Sequence, residues 1–151
     1  MHWKTILVPH DFSSSANHAA ALARNEAKLH GGKILLLHVI DLPSQLPPNA
    51  AIVPTETGAP ISVRDYAVSS AETHLQDLAN RLAKDDVEAT PFIRVGSPVE
   101  QINLFVEENA VDLIVMGTHG HTGIRALMAG SITEKVVRSA RVPVLTVRHP
   151  D

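Results

Sequence analysis

Lys33–Ile40, KILLLHVI, is a stretch of strand length in which apolar side chains follow one another almost without a break. A strand with one wet face alternates apolar and polar residues. A strand covered on both faces reads as a continuous apolar run, the pattern of a parallel sheet held between two helical layers. Similar runs recur on either side. Thr5–Pro9 (TILVP) is short, rich in β-branched residues and closed by proline, and Glu88–Val95 (EATPFIRV) is more polar. Asp112–Gly117 (DLIVMG) and Pro143–Val147 (PVLTV) are again almost wholly apolar.

Helical patterns separate these runs. Ser13–His30 places Ala16, Ala19, Ala20, Ala23 and Ala27 on a face that can pack close to a sheet. Val63–Ala83 carries Ala71, Leu75, Leu78 and Leu82 at spacings of three and four, one stripe of a helix. Ser97-Pro98-Val99-Glu100 reads as a capping box with proline at the first helical position, opening a helix to about Asn109. Ser131-Ile132-Thr133-Glu134 reads as a second capping box, opening a helix to about Ala140.

Strands and helices therefore alternate, which predicts an α/β fold: a doubly wound five-stranded parallel sheet with helices on both faces. Two strand orders are usual, 2-1-3-4-5 and one with the first strand central. Pro91 favours the second. A proline inside a strand belongs on a sheet edge, where its missing N–H does no harm. This puts the third strand at one end and gives the order 3-2-1-4-5. The last strand then forms the other edge, apolar and poorly protected, which predicts a homodimer through Pro143–Val147. Pro143 and Arg148 offer an alternative protection for that edge. Asp41–Ser62 stands apart, with five of the ten prolines and no period. A loop of this length is a lid, an interface element or a disordered insertion.

Bulk composition narrows the function. The 151 residues fit one domain spanning 1–151, with 41–62 as a proline-rich variable loop. There are no cysteines, which excludes disulfides, thiolate metal sites and cysteine nucleophiles. The net charge is -3 and the pI near 6.3, so no basic nucleic-acid surface or polybasic membrane patch is expected. The opening MHWKTILVPHDF is too short an apolar run for a signal peptide, and no stretch approaches a membrane span. The expected location is the cytoplasm.

In a doubly wound sheet, ligands bind beyond the carboxyl ends of the strands where the winding reverses. For the order 3-2-1-4-5 the reversal falls between strands one and four. Strand one ends in Pro9-His10-Asp11, and strand four runs into Met116-Gly117-Thr118-His119-Gly120. Gly117 and Gly120 would let a phosphate approach backbone N–H groups without meeting a Cβ. Gly130-Ser131 opens the last helix, whose unpaired N–H groups and dipole suit an anion, and Ser131 and Thr133 add hydroxyls. Two ordinary turns are the alternative reading. The pattern is neither a Walker A loop nor G-x-G-x-x-G. Asp11 also fits an Asx turn or helix cap, a role compatible with ligand contact.

Histidines are numerous, nine in all. His119 and His121 lie in the glycine loop with His10 across the crevice, but no cysteine or paired carboxylate completes a metal ligand set. Phosphate contact and plain exposure are the two readings for the loop pair; the same holds for Arg125. His38, ending strand two, reads as structural.

G-x2-G-x9-G-[ST] is met by Gly117, Gly120, Gly130 and Ser131. Together with VPHDFS, LLHVID and VPVLTV, this pattern resembles the universal stress protein family, in its nucleotide-binding branch, over essentially the whole chain. The resemblance implies the 3-2-1-4-5 sheet, ATP binding and dimers through the last strand. It implies Asp11 near the ribose and base, with Pro9 and Val39 lining an adenine pocket. Gly117, Gly120, Gly130 and Ser131 would hold ribose and phosphates. Met116, Thr118, His119, His121, Thr122, Gly123, Ile132 and Thr133 would lie along the same path. Mg²⁺ or Mn²⁺ would bridge the phosphates, with no metal ligand expected from the protein's own side chains. No Walker lysine and no evident base are present. The chain therefore reads as a nucleotide-dependent regulator or sensor acting on a client protein; the alternative is a slow ATP hydrolase. Flavodoxin-like and receiver-domain readings lack their site chemistry.

Overall fold

The structure is a computed structural model that describes residues 1–47, 49–118 and 131–148. Four helices and seven strands occur among these residues: β1 Thr5–Pro9, α1 Ser14–His30, β2 Lys33–Ile40, β3 Ala51–Ile52, β4 Ile61–Ser62, α2 Val63–Lys84, β5 Ala89–Val95, α3 Pro98–Glu108, β6 Leu113–Gly117, α4 Ile132–Ser139 and β7 Val144–Val147. Five strands form one sheet in the order β5-β2-β1-β6-β7, every neighbouring pair parallel. Counted over these five long strands, this is the expected 3-2-1-4-5.

Strand periodicity sorts the core into two layers. Ile6 and Val8, Ile34 and Leu36, Leu113 and Val115 point to one face, where they meet the alanines of α1 and Leu75, Leu78 and Leu82 of α2. Leu7, Leu35, Leu37, Ile114 and Met116 point to the other, against Ile102, Phe105 and Val106 of α3 and Val136 of α4. Each fully buried large side chain contributes about 1.5–3 kcal/mol relative to exposure. The sheet is apolar on both faces because both are covered.

Local signals set the helix ends. The Ser13 hydroxyl accepts the Ala16 N–H at 3.1 Å and caps α1. Gly31 closes it in the left-handed region at φ 62°, and the Gly32 N–H returns to the Ala27 carbonyl at 2.9 Å. Ser62 caps α2 by accepting the Asp65 N–H at 3.0 Å. Ser97 departs from expectation: it precedes α3 but makes no side-chain capping bond, and Pro98 starts the helix with its preset φ.

Pro91 lies on the edge strand β5. The Ile34 N–H bonds the Glu88 carbonyl and the Gly96 N–H bonds the Ile40 carbonyl. Even-numbered residues of β5 therefore turn their backbone groups to β2, and odd-numbered residues, Pro91 among them, turn outward. The proline removes no ladder bond. The 41–62 segment, expected as a proline-rich loop without a period, holds short secondary structure. It contains an antiparallel ribbon pairing Ala51 with Ser62 and Ile52 with Ile61. Strands of two residues are too short to show a period, so the sequence could not reveal them.

Gly32 marks where the chain must pass tightly beside β1. A Cβ there would lie 2.3 Å from the Trp3 carbonyl oxygen and 3.0 Å from that of Lys4. Gly32→Ala is expected to destabilise the fold by about 1–3 kcal/mol, the range for overpacking against a backbone that cannot yield. Urea denaturation checks this through a lowered midpoint at unchanged slope.

Candidate functional site

β1 and β6 are neighbours at the centre of the sheet, yet the helices that follow them lie on opposite faces. α1 follows β1 onto the α2 side, and α4 follows β6 onto the α3 side. The carboxyl ends of these two strands are the point at which the winding reverses, where a doubly wound sheet opens a crevice.

The β1 side is a tight turn. The His10 N–H bonds the Leu37 carbonyl at 2.8 Å, extending the pairing with β2 by one residue. His10 is buried at 5% exposure, and both ring nitrogens are engaged. The Phe12 N–H donates to Nδ1 at 3.0 Å, and Nε2 faces the Asn17 Oδ1 at 3.0 Å. An acceptor at Nδ1 and a donor at Nε2 define the neutral Nε2–H tautomer. Burial is the main force that lowers the His10 pKa from its usual value, and His38 and Arg81 add to it; the Asn17 bond and the Asp11 charge pull the other way. Asp11 Oδ1 accepts the Ser13 N–H at 3.1 Å, an Asx turn that leads into the cap of α1.

Phe12 takes φ 66°, a left-handed conformation that costs a side chain of this size about 1–3 kcal/mol. Its ring packs on the α1–α2 core layer and lies against three imidazoles, His38 at 4.5 Å, His74 at 5.3 Å and His10 at 5.5 Å between centroids. His38 donates its Nδ1–H to the His10 carbonyl at 2.7 Å, the structural partnership expected for it.

The β6 side is tied to α4. The Thr133 hydroxyl donates to the Gly117 carbonyl at 2.7 Å. The Ser131 hydroxyl accepts the Glu134 N–H at 3.1 Å, so the second capping box forms at its serine, and the first turn of α4 begins beside the end of β6. The Thr118 N–H goes to the Val147 carbonyl at 3.0 Å, prolonging the β6–β7 ladder.

The structure thus brings together Pro9, Asp11, Gly117, Thr118, Ser131 and Thr133 around one sheet end. Strand parity puts Pro9, Val39 and Met116 on the α3–α4 face. Pro9 and Val39 are half-buried, whereas Met116 is 5% exposed with its side chain in the core. Ile132 is exposed in the first turn of α4. His119, Gly120, His121, Thr122, Gly123, Arg125 and Gly130 lie outside the described residues. Among the described residues, no group of three or more His, Asp or Glu side chains could hold a metal ion. The sequence reading missed Asn17, Phe12 and Ser15. Nothing in a seven-residue gap signals that Asn17 completes the His10 ring, and the positive φ of Phe12 has no sequence mark.

Strand order and winding define a doubly wound α/β protein whose winding reverses at the β1–β6 boundary. The chain belongs to the universal stress protein family, whose family model matches residues 2–148. Universal stress protein MJ0577 of Methanocaldococcus jannaschii is 29% identical over 155 aligned residues, covering 97% of this chain and 96% of its own. The solved structure of MJ0577 matches with a TM-score of 0.83 at 28% identity, over 100% of this chain and 99% of that one. A universal stress protein of Thermus aquaticus is 34% identical over 155 residues, covering 97% and 99% of the two chains. The Archaeoglobus fulgidus universal stress protein solved in complex with dAMP shares the fold, with a TM-score of 0.66 and 22% identity over 97% and 98%.

Gly117 has a packing reason independent of any ligand. A Cβ there would sit 2.1 Å from Ser15 Oγ and 2.8 Å from the Ser15 backbone carbon. Gly117→Ala is expected to lower stability by about 1–3 kcal/mol. Adding Ser15→Ala removes the nearest atom but not the backbone clash, so it restores only part of the loss. A double-mutant cycle by urea denaturation reads the coupling; full additivity would contradict the contact.

Proposed function

We propose that this chain is a nucleotide-binding regulatory module of the stress response, with ATP as ligand in the crevice between β1 and β6. The observation that carries the reading is the meeting of Asp11, the end of β6 and the Ser131-capped start of α4 at the winding reversal. In this reading Pro9 and Val39 line the base, and Asp11 meets the ribose. The N–H groups at the start of α4 and the glycine motif carry the phosphates. Mg²⁺ or Mn²⁺ accompanies the phosphates, held by their oxygens and by water rather than by a protein ligand set. The dAMP complex of the A. fulgidus relative supports nucleotide binding in the family's fold. The bound state is read by a client protein.

Gly130 is the glycine with which to test the site, because Gly117 is also required for packing. Gly130→Val is expected to weaken ATP binding at least about tenfold in calorimetric titration, a loss of about 1.4 kcal/mol, with the thermal midpoint little changed. Undiminished affinity in that variant would overturn the phosphate assignment.

We also infer a homodimer through β7. Leu145 is 37% exposed on this edge strand, with Val137 at 50% and Ile132 at 45% on α4. The Ile114 N–H bonds the Pro143 carbonyl and the Thr118 N–H bonds the Val147 carbonyl, so odd-numbered residues serve β6 while Val144 and Thr146 present their backbone groups outward. A two-fold axis would pair two such edges antiparallel. Thr146→Pro removes one outward N–H and no bond to β6. Sedimentation velocity should show the wild type as a dimer and this variant as a folded monomer.

A further inference from the structure

The turn that carries Asp11 hangs on one imidazole. His10 accepts the Phe12 N–H at Nδ1, gives its Nε2–H to Asn17 on α1, and is fixed to β2 by its own N–H on Leu37 and by His38 on its carbonyl. These four bonds join β1, β2 and α1 at a single buried residue. They also hold Phe12 in a left-handed conformation that its own side chain disfavours. The Nδ1 acceptor works on Phe12 as Asp11 Oδ1 works on Ser13, each reaching two residues ahead. The two turns interlock, and Asp11 sits between them.

A second proton on the ring would occupy Nδ1 and point at the Phe12 N–H, donor against donor. That geometry turns a bond into a repulsion and releases the strained residue next to Asp11. We propose that His10 is a positioning residue whose neutral, Nε2-protonated ring holds the Pro9–Ser13 turn and so sets where Asp11 meets the bound nucleotide, and that acidification weakens nucleotide binding through this turn. The proposal rests on the reading of Asp11 as a ligand contact.

Groups on every side bear on the ring. Asp11 on the turn itself favours a His10 proton, while His38 on β2 and Arg81 on α2 oppose it; Asn17 on α1 supplies a neutral acceptor. His74 on α2 reaches the cluster through the Phe12 ring, 5.3 Å away between centroids. Burial dominates and keeps the folded ring neutral to lower pH than the ordinary value of 6.5. The unfolded chain therefore takes up the proton first. Stability from this ring is complete above about pH 6.5 and is lost as the pH falls through the lower folded-state value.

The test compares wild type, His10→Ala and His10→Asn, with ATP titrated at pH values from 8 downward (roughly one-unit steps span the change in charge). The tautomer and titration of His10 are followed in parallel by long-range ¹H–¹⁵N correlation. An asparagine oxygen can accept the Phe12 N–H as an Asx turn does, but does not titrate. At pH 8, His10→Ala is expected to lose about tenfold in affinity, as for a lost buried hydrogen bond, with His10→Asn recovering most of it. The wild-type affinity, divided by that of His10→Asn, falls as the ring titrates; this ratio cancels protonation of ATP itself. An Nδ1–H tautomer, undiminished affinity in His10→Ala, or a ratio that stays flat through the titration would each overturn the proposal. If His10→Ala does not fold, the ratio for His10→Asn still decides. Absence of ATP binding to the wild type would instead sink the reading of the site, while the tautomer and the protection of the Phe12 amide would still judge the turn.

Discussion

Ser15 of α1 and Gly117 of β6 lie so close that a single added carbon at position 117 would overlap them. This contact decides how the first helix sits on the sheet. α1 packs on the sheet largely through small residues, Ala16, Ala19, Ala20, Ala23 and Ala27, with Ser15 buried beside them at its first turn. At its first turn even a methyl is too much on the strand side. The consequence is a helix whose capped start is held at the boundary between β1 and β6, the point where the winding reverses. Were α1 to stand off by the width of a side chain, the Asp11–Ser13 turn would lose its place at the sheet end and Asn17 would lose His10.

A sheet covered on both faces restricts where polar chemistry can occur. Leu7, Leu35, Leu37 and Ile114 on one face and Ile6, Val8, Ile34 and Leu36 on the other are buried in two apolar layers. Side chains that bind or switch must sit where the strands stop. His10 sits one residue past β1, and Thr133 and Ser131 lie where α4 returns to the end of β6. The buried His10 is therefore an exception that needs full satisfaction, and each of its polar atoms has a partner.

Much of this was legible in the sequence, and for identifiable reasons. Continuous apolar strands gave the parallel sheet, and Pro91 gave its edge, since a missing N–H is harmless only where it points outward. Ser131 and Asp11 were legible as a helix cap and an Asx turn because each has a distinct backbone requirement. The losses are equally specific. The Ala51–Ile52 and Ile61–Ser62 ribbon is too short for periodicity. Ser97 looked like a cap, but a proline at the next position starts the helix without it. Asn17, Ser15 and the left-handed Phe12 act through contacts across elements, which no local pattern records.

Gly117 shows what a motif can and cannot separate. In G-x2-G-x9-G-[ST] its absent side chain reads the same whether a phosphate or a neighbouring helix claims the space. The direction of the missing Cβ distinguishes the two: at position 117 it points into α1. The carbonyl of the same residue is taken by Thr133 and the next N–H by β7. Gly117 is thus committed to the fold through both its missing side chain and its carbonyl, which lets α1 and α4 converge on the end of β6. What that convergence leaves at the sheet end includes Asp11, whose Oδ1 accepts the Ser13 N–H on a turn that the His10 ring holds through the Phe12 N–H.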